Sequence, residues 1–196
     1  FGLKDVEKKS FTMKTLADAI SLRNRLIDML EQAENEKNPK IKQRLLTFVI
    51  VGGGFAGVET AGEINDFLHD AVSYYHNTKK EDVQVILVEA LSTILPGFNE
   101  RLTEYAHNKL EKNGIKILLQ NAVTSFDGKN VAINKLPESS LGDDSKKMID
   151  SHTLVWTAGV TPVEIIQNSI FKIKKGKIIV NEFLEIPNYP GVFAIG

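Results

Sequence analysis

Residues 47–57, TFVIVGGGFAG, constrain the fold more than any other part of the chain. The apolar run Phe48-Val49-Ile50-Val51 has the length and composition of a buried strand, and a complete G-x-G-x-x-G follows at Gly52, Gly54 and Gly57. Residues 58–76 are then compatible with a helix. A strand, a glycine turn and a helix in that order form the unit that binds a dinucleotide: Gly52 permits the tight turn, Gly54 lets backbone approach a pyrophosphate, and Gly57 lets helix and strand pack closely. With Gly53, Phe55 and Ala56 between them, these residues form a candidate cofactor-binding loop. The phosphates would face a helix N-terminus, whose free N–H groups attract anions.

The pattern repeats downstream. VQVILVE at 83–89 reads as a second buried strand, 99–113 as a helix stopped by Gly114, and 115–119 as a third strand, so the order is β-α-β-α-β with a parallel sheet. Thr153-Leu154-Val155-Trp156 adds another member, ending in Thr157-Ala158-Gly159-Val160. Between them, 122–125 and 130–134 flank Asp127-Gly128 and predict a small antiparallel β insertion. Residues 136–147, rich in serine, acid and lysine, predict an exposed loop. Ahead of the glycine motif, 15–36 predict an amphipathic helix. Thr15 and Asp18 form its capping box, Leu16, Ala19, Ile20, Leu26, Ile27 and Leu30 much of its apolar face, Arg23 and Arg25 its wet side, and Asn38-Pro39 its stop. Near the C-terminus, 178–180 and 192–195 predict strands of a different layer, separated by Pro187, Asn188 and Pro190. The fold class is α/β, a Rossmann-like NAD-binding domain with a central parallel sheet and a small antiparallel insertion.

Charge and cysteine content remove several functions. A net charge of −1, with lysines interleaved among acids, gives no electrostatic footprint for nucleic acid. No apolar run approaches the roughly 20 residues of a spanning helix, and the N-terminus has no signal-peptide pattern. With no cysteine, these residues hold no disulfide, thiolate metal site or redox dithiol, and a reducing compartment is permitted. His69, His76, His107 and His152 lack metal-ligand spacing and read as ordinary surface or core histidines. Tyr74 and Tyr75 read as packing residues.

Two acids carry candidate chemistry. Glu89 ends the second strand, where a carboxylate accepts hydrogen bonds from both hydroxyls of an adenosine ribose and repels a 2′-phosphate; Ala90 and Leu91 supply no arginine to offset that repulsion, so the pattern favours NAD over NADP. Glu89 lies well beyond the usual spacing of about 20 residues, so an extended helix and loop must intervene. The competing reading is a solvated strand-end glutamate. Glu59 and Glu63 share one face of the first helix, with Glu59 nearer the mouth. Favourable interaction with the positive helix end explains Glu59 without any catalytic role, and Glu63 reads as structural.

GGGFAGVETAGEI at 52–64, VEALSTILPGF at 88–98, TLVWTAGV at 153–160 and VFAIG at 192–196 resemble the two-dinucleotide flavoprotein oxidoreductases, and most of all the type II NADH dehydrogenases, single-subunit NADH:quinone oxidoreductases. The likeness extends to FG at 1–2 and KTLADAISLRNRL at 14–26. It implies that Gly52, Gly54 and Gly57 hold the NADH pyrophosphate and Glu89 the ribose. It also implies that Glu59 lies beside nicotinamide and flavin as a positioning or proton-handling group in catalysis, and that Ala158 and Gly159 let nicotinamide lie close to backbone. The parent would carry FAD, pass hydride from NADH to FAD and electrons on to a quinone, and sit in the cytoplasm as a peripheral protein on the cytoplasmic face of a membrane.

The resemblance also implies a piece of a longer protein. The FAD loop that opens such chains has no counterpart before residue 47, and VFAIG stops where an FAD-contacting aspartate would follow. Residues 1–44 would then join from the FAD domain, 45–165 form the NADH domain and 166–196 return toward the FAD domain, leaving apolar surface exposed and the isolated chain inactive. Other readings stay open. The same loop physics could bind FAD, the parent could be a ferredoxin- or nitrite-reductase-like enzyme, or the domain could be an NADH-sensing module like apoptosis-inducing factor.

Overall fold

A computed structural model describes residues 3–136, 146–159, 164–174 and 176–195. The chain divides into two compact units, Phe1–Ala158 and Gly159–Gly196. In the first, α1 (Lys4–Lys9), α2 (Leu16–Asn35) and α3 (Pro39–Leu45) precede β1 (Thr47–Val51) and α4 (Phe55–Ala71). Then come β2 (Gln84–Val88), α5 (Glu100–Lys112), β3 (Lys116–Leu118), β4 (Asn121–Phe126), β5 (Asn130–Lys135), β6 (Lys146–Asp150) and β7 (Thr153–Trp156).

The central sheet has the order β3-β2-β1-β7, with every pair parallel. Residue alternation in β1 decides what covers each face. Phe48 and Ile50 point into a core built with Leu22, Leu26, Met29, Leu30 and Ala33 of α2, Ala61, Ile64 and Leu68 of α4, and Leu110 of α5. Val49 and Val51 point the opposite way, onto Val123, Phe126, Val131 and Ile133 of an antiparallel sheet β4-β5-β6, and onto Val6 of α1. Helices therefore cover one face and a second sheet the other. Because both faces are covered, all of β1 is buried, which is why it reads as an unbroken apolar run.

Several expectations need correcting. The capping box of α2 is present, with Thr15 and Asp18 bonding each other's backbone. Its buried face, however, is Leu22, Leu26, Met29, Leu30 and Ala33, whereas Leu16, Ile20 and Ile27 are exposed. Arg25 is half-buried, not on the wet side; its Nη2 donates to the His152 carbonyl at 2.7 Å. Asn38-Pro39 starts a helix: Asn38 Oδ1 accepts from Lys40 N–H at 3.0 Å, and Pro39 sits where a helix has no use for an N–H. Tyr74 is 86% exposed, so it is no packing residue, whereas Tyr75 packs against the core as expected and its Oη donates to Glu31 Oε1.

The antiparallel insertion has three strands rather than two. Residues 146–147, expected at the end of an exposed loop, open β6, which pairs with β5 along its length. The expected loop otherwise spans 137–145, outside the described residues. Phe11 extends the central sheet by one bridge to β7: its N–H donates to Leu154 O and its carbonyl accepts from Trp156 N–H.

In the second unit, α6 (Glu164–Gln167) precedes a two-stranded ribbon of β8 (Ile173–Lys174) and β9 (Lys177–Ile178). The strand expected at 178–180 is confined to Lys177–Ile178, and the one at 192–195 reduces to a single bridge, Glu185 to Phe193. Phe171 and Tyr189 meet edge to face at 5.1 Å.

Candidate functional site

The register of the parallel sheet brings three strand ends to one edge. Val51 pairs with Val88 on one side and Trp156 on the other, so Gly52, Glu89 and Thr157 leave the sheet side by side. The interval between the glycine turn and Glu89 is filled by α4, a 3₁₀ turn at Val72–Tyr74, a loop and a second 3₁₀ turn at Lys80–Asp82. This is the extension that the long spacing demanded.

Each glycine is needed for a different reason. Gly52 has φ +109, and a Cβ there would stand 2.9 Å from Ala158 N. At Gly57 a Cβ would fall 1.7 Å from the Gly52 carbonyl oxygen and 2.8 Å from Thr157 Oγ1. At Gly53 it would press on Glu89 Cγ at 3.0 Å. Gly54 differs: among the described residues, no atom lies within 4 Å of a Cβ built there. The space over Gly54 is open, and Gly54, Phe55 and Ala56 are exposed while Gly52, Gly53 and Gly57 are buried. Gly54 is the N-cap of α4, and among the described residues no side chain caps that end. First-turn amides have no intrahelical acceptor, so the positive end of a 17-residue helix faces solvent at the one glycine of this turn with room above it.

Glu89 is only 9% exposed, which removes the solvated strand-end reading. Its Oε2 accepts from Gly53 N–H, and its Oε1 from Leu91 N–H at 2.7 Å. A carboxylate offers about four lone-pair positions, so acceptor capacity remains for a ligand's hydroxyls. Thr157, which no spacing argument singled out, ties the third strand end to the turn: its N–H and its Oγ1 both donate to Val51 O, at 3.0 and 2.7 Å. The Ala158 carbonyl accepts from Trp156 Nε1 at 2.8 Å. Gly159 opens the second unit, exposed and with φ +77, and Val160 lies outside the described residues.

Glu59 is exposed on α4, one turn beyond Phe55 and on the same face. No acid lies in the first turn of α4. The dipole effect fades beyond that turn, so the bland explanation for Glu59 loses force. Glu63 lies a further turn away and is also exposed.

The arrangement fits a dinucleotide: open space over a glycine, an uncapped helix end for phosphate, and a carboxylate held at the neighbouring strand end for ribose. Comparison with known proteins agrees with that chemistry. The external alternative NADH-ubiquinone oxidoreductase of Yarrowia lipolytica mitochondria is 34% identical across all of this chain, which covers 34% of that protein. The type II NADH:quinone oxidoreductase Ndh of Mycobacterium tuberculosis is 32% identical over 94% of this chain and 40% of its own length. The fold is that of NDH2 from Plasmodium falciparum, solved in complex with NADH: the TM-score is 0.76 at 24% identity, over 85% of this chain and 33% of that one. The chain thus spans about a third to two fifths of the length of these proteins. A family profile matches residues 2–196, a span that takes in the glycine turn, the strand-end acid and the parallel sheet, and the chain is a member of the pyridine nucleotide-disulphide oxidoreductase family.

Proposed function

We propose that this chain is the NADH-binding part of a type II NADH:quinone oxidoreductase. The observation that carries the reading is the uncapped start of α4 at Gly54, open to a ligand and flanked by the buried Glu89. The N–H groups at Phe55 and Ala56 receive the pyrophosphate, Glu89 accepts the ribose hydroxyls and excludes a 2′-phosphate, and Ala158 and Gly159 leave room for nicotinamide. Glu59, exposed one turn into α4, positions the nicotinamide end or holds a proton there. Bound NADH supplies a hydride, and FAD in the longer protein accepts it before electrons pass to quinone; this chain's residues bind, orient and select.

The relatives' names support quinone as the electron acceptor, and their greater length leaves room for a flavin site beyond this chain. In this reading 45–165 form the NADH domain, while 1–44 and 166–196 lead from and to the flavin domain. Leu16 and Ile20, exposed on α2 at 78% and 44%, give that domain an apolar surface to cover. Among the described residues no helix is long and apolar enough to cross a membrane. The likeness to NADH:quinone oxidoreductases favours a longer protein that meets its quinone as a peripheral protein, on the cytoplasmic face.

Steady-state assay of the longer protein, loaded with FAD, tests the reading. NADH-dependent quinone reduction is expected, with NADPH a poor donor. Binding of NADH with a change in self-association but negligible turnover would instead make the protein a sensor.

A further inference from the structure

Gly53 is gripped on both of its peptide groups by the segment that follows β2. Its N–H donates to Glu89, and its carbonyl accepts from Leu95 N–H at 2.6 Å. The segment is itself tethered: the Leu91 carbonyl accepts from Gln120 N–H at 2.9 Å, and Ile94 is fully buried. Leu95 has φ +48, a backbone conformation that leucine holds only where its surroundings impose it. Leu95-Pro96-Gly97-Phe98 then closes as a turn, with Phe98 N–H donating to Leu95 O at 3.3 Å. Proline in the second position and Gly97 at φ +92 in the third suit a type II turn.

That turn delivers Phe98 onto Phe55. The rings meet edge to face, with centroids 4.9 Å apart and an interplanar angle of 90°. Both stay substantially exposed, at 57% for Phe55 and 48% for Phe98, so the contact adds little to the core. Phe55 is the first residue of α4, and its N–H belongs to the uncapped turn.

We propose that residues 91–98 are a brace that sets the geometry of the anion-binding turn, and that Phe98 is its positioning residue, acting through the ring of Phe55. The brace grips the Gly53 carbonyl through the Leu95 N–H and Phe55 by an aromatic contact, so the residues on both sides of the open Gly54 are held by one segment. The inference rests on the dinucleotide reading for its ligand, but the brace itself is a statement about the free protein.

The test measures NADH affinity of the purified chain by fluorescence titration, together with amide exchange at Val58, whose N–H donates to Gly54 O at 3.0 Å. Phe98→Ala is expected to weaken NADH about three- to tenfold, in keeping with the loss of one aromatic pair, and to speed exchange at Val58, with the melting temperature lowered by no more than about 6 °C. Phe98→Tyr restores both. Phe55→Ala combined with Phe98→Ala binds no worse than the weaker single variant, to within about twofold, because one contact is lost in each case. Losses that add would mean that Phe98 acts on the ligand directly, and unchanged affinity and exchange in Phe98→Ala would mean that it acts on nothing; either overturns the proposal. If the unsubstituted chain binds no NADH, the dinucleotide reading falls, and exchange at Val58 still decides the brace: faster in Phe98→Ala supports it, and unchanged overturns it.

Discussion

Two alanine substitutions only three residues apart should separate what the glycine turn needs for folding from what it needs for its ligand. Gly57→Ala places a Cβ 1.7 Å from the Gly52 carbonyl oxygen, where contacts under 3.0 Å are essentially never seen, so the turn or α4 must move by more than an ångström. Overpacking of this kind costs about 1–3 kcal/mol, and the clash with rigid backbone puts the cost at the upper end. The gain in helix propensity from glycine to alanine offsets about 1 kcal/mol. The net is a loss of about 2 kcal/mol, which for a chain of this length lowers the melting temperature by about 4–8 °C. Gly54→Ala meets no protein atom, and its φ of −74° and ψ of −174° are ordinary for alanine. A poorer N-cap costs about 0.5–1 kcal/mol and a less flexible unfolded chain returns about as much, so the melting temperature should stay within about 2 °C. The Cβ nevertheless occupies the space assigned to pyrophosphate, and NADH affinity should fall at least tenfold. Thermal unfolding followed by calorimetric titration reads both. The reasoning is refuted if Gly57→Ala melts with the unsubstituted chain, or if Gly54→Ala binds NADH normally.

Two further outcomes follow from the opposite edge of the sheet. Burial, and then Arg25, Arg44 and Lys129, hold the His152 imidazole below its ordinary pKa of 6.5, against a weaker opposite pull from Asp127, and its buried Nε2 has no hydrogen-bond partner among the described residues. The unfolded chain therefore takes up this proton first, so stability is complete above pH 6.5 and falls as pH drops through that value toward the depressed folded pKa. His152→Gln should flatten urea-denaturation stability between about pH 5 and 7, and an unaltered slope would assign the loss to other groups. Arg25→Met keeps most of the packing but takes the guanidinium from the His152 carbonyl, which it meets at 2.7 Å. A loss of about 1–3 kcal/mol is expected in the same assay, and a neutral result would return Arg25 to the solvated face.

The strand-turn-helix unit was legible because its parts announce themselves locally: four consecutive apolar residues at 48–51, then a glycine turn in which Gly52, Gly53 and Gly57 leave a Cβ no room. Glu89 was legible as an acid at a strand end, but its grip on Gly53 joins residues 36 apart and exists only once the sheet is registered. The face of α2 was misjudged because that helix carries two apolar stripes; Leu22, Leu26 and Met29 win because they share one core with Phe48 and Ile50, which a helix read alone does not reveal. Strand β6, KKMID, was missed because it is a polar edge strand in which only Ile149 is even half-buried. Helix α3 was missed because Asn-Pro was read as a terminator, although asparagine followed by proline is equally an N-cap and first turn. The contact between Phe55 and Phe98 left no sequence signal beyond two aromatics in separate loops.

The central claim is that Glu89 selects NADH at the Gly52–Gly57 turn, and calorimetric titration of the chain with NADH and NADPH, repeated on Glu89→Gln, tests it most directly. The unsubstituted chain should bind NADH at least tenfold more tightly than NADPH, because a 2′-phosphate would face a buried carboxylate. Glu89→Gln should narrow that preference severalfold by removing the charge while keeping the shape. Equal affinities for the two nucleotides in the unsubstituted chain, or a preference untouched by Glu89→Gln, would contradict the account.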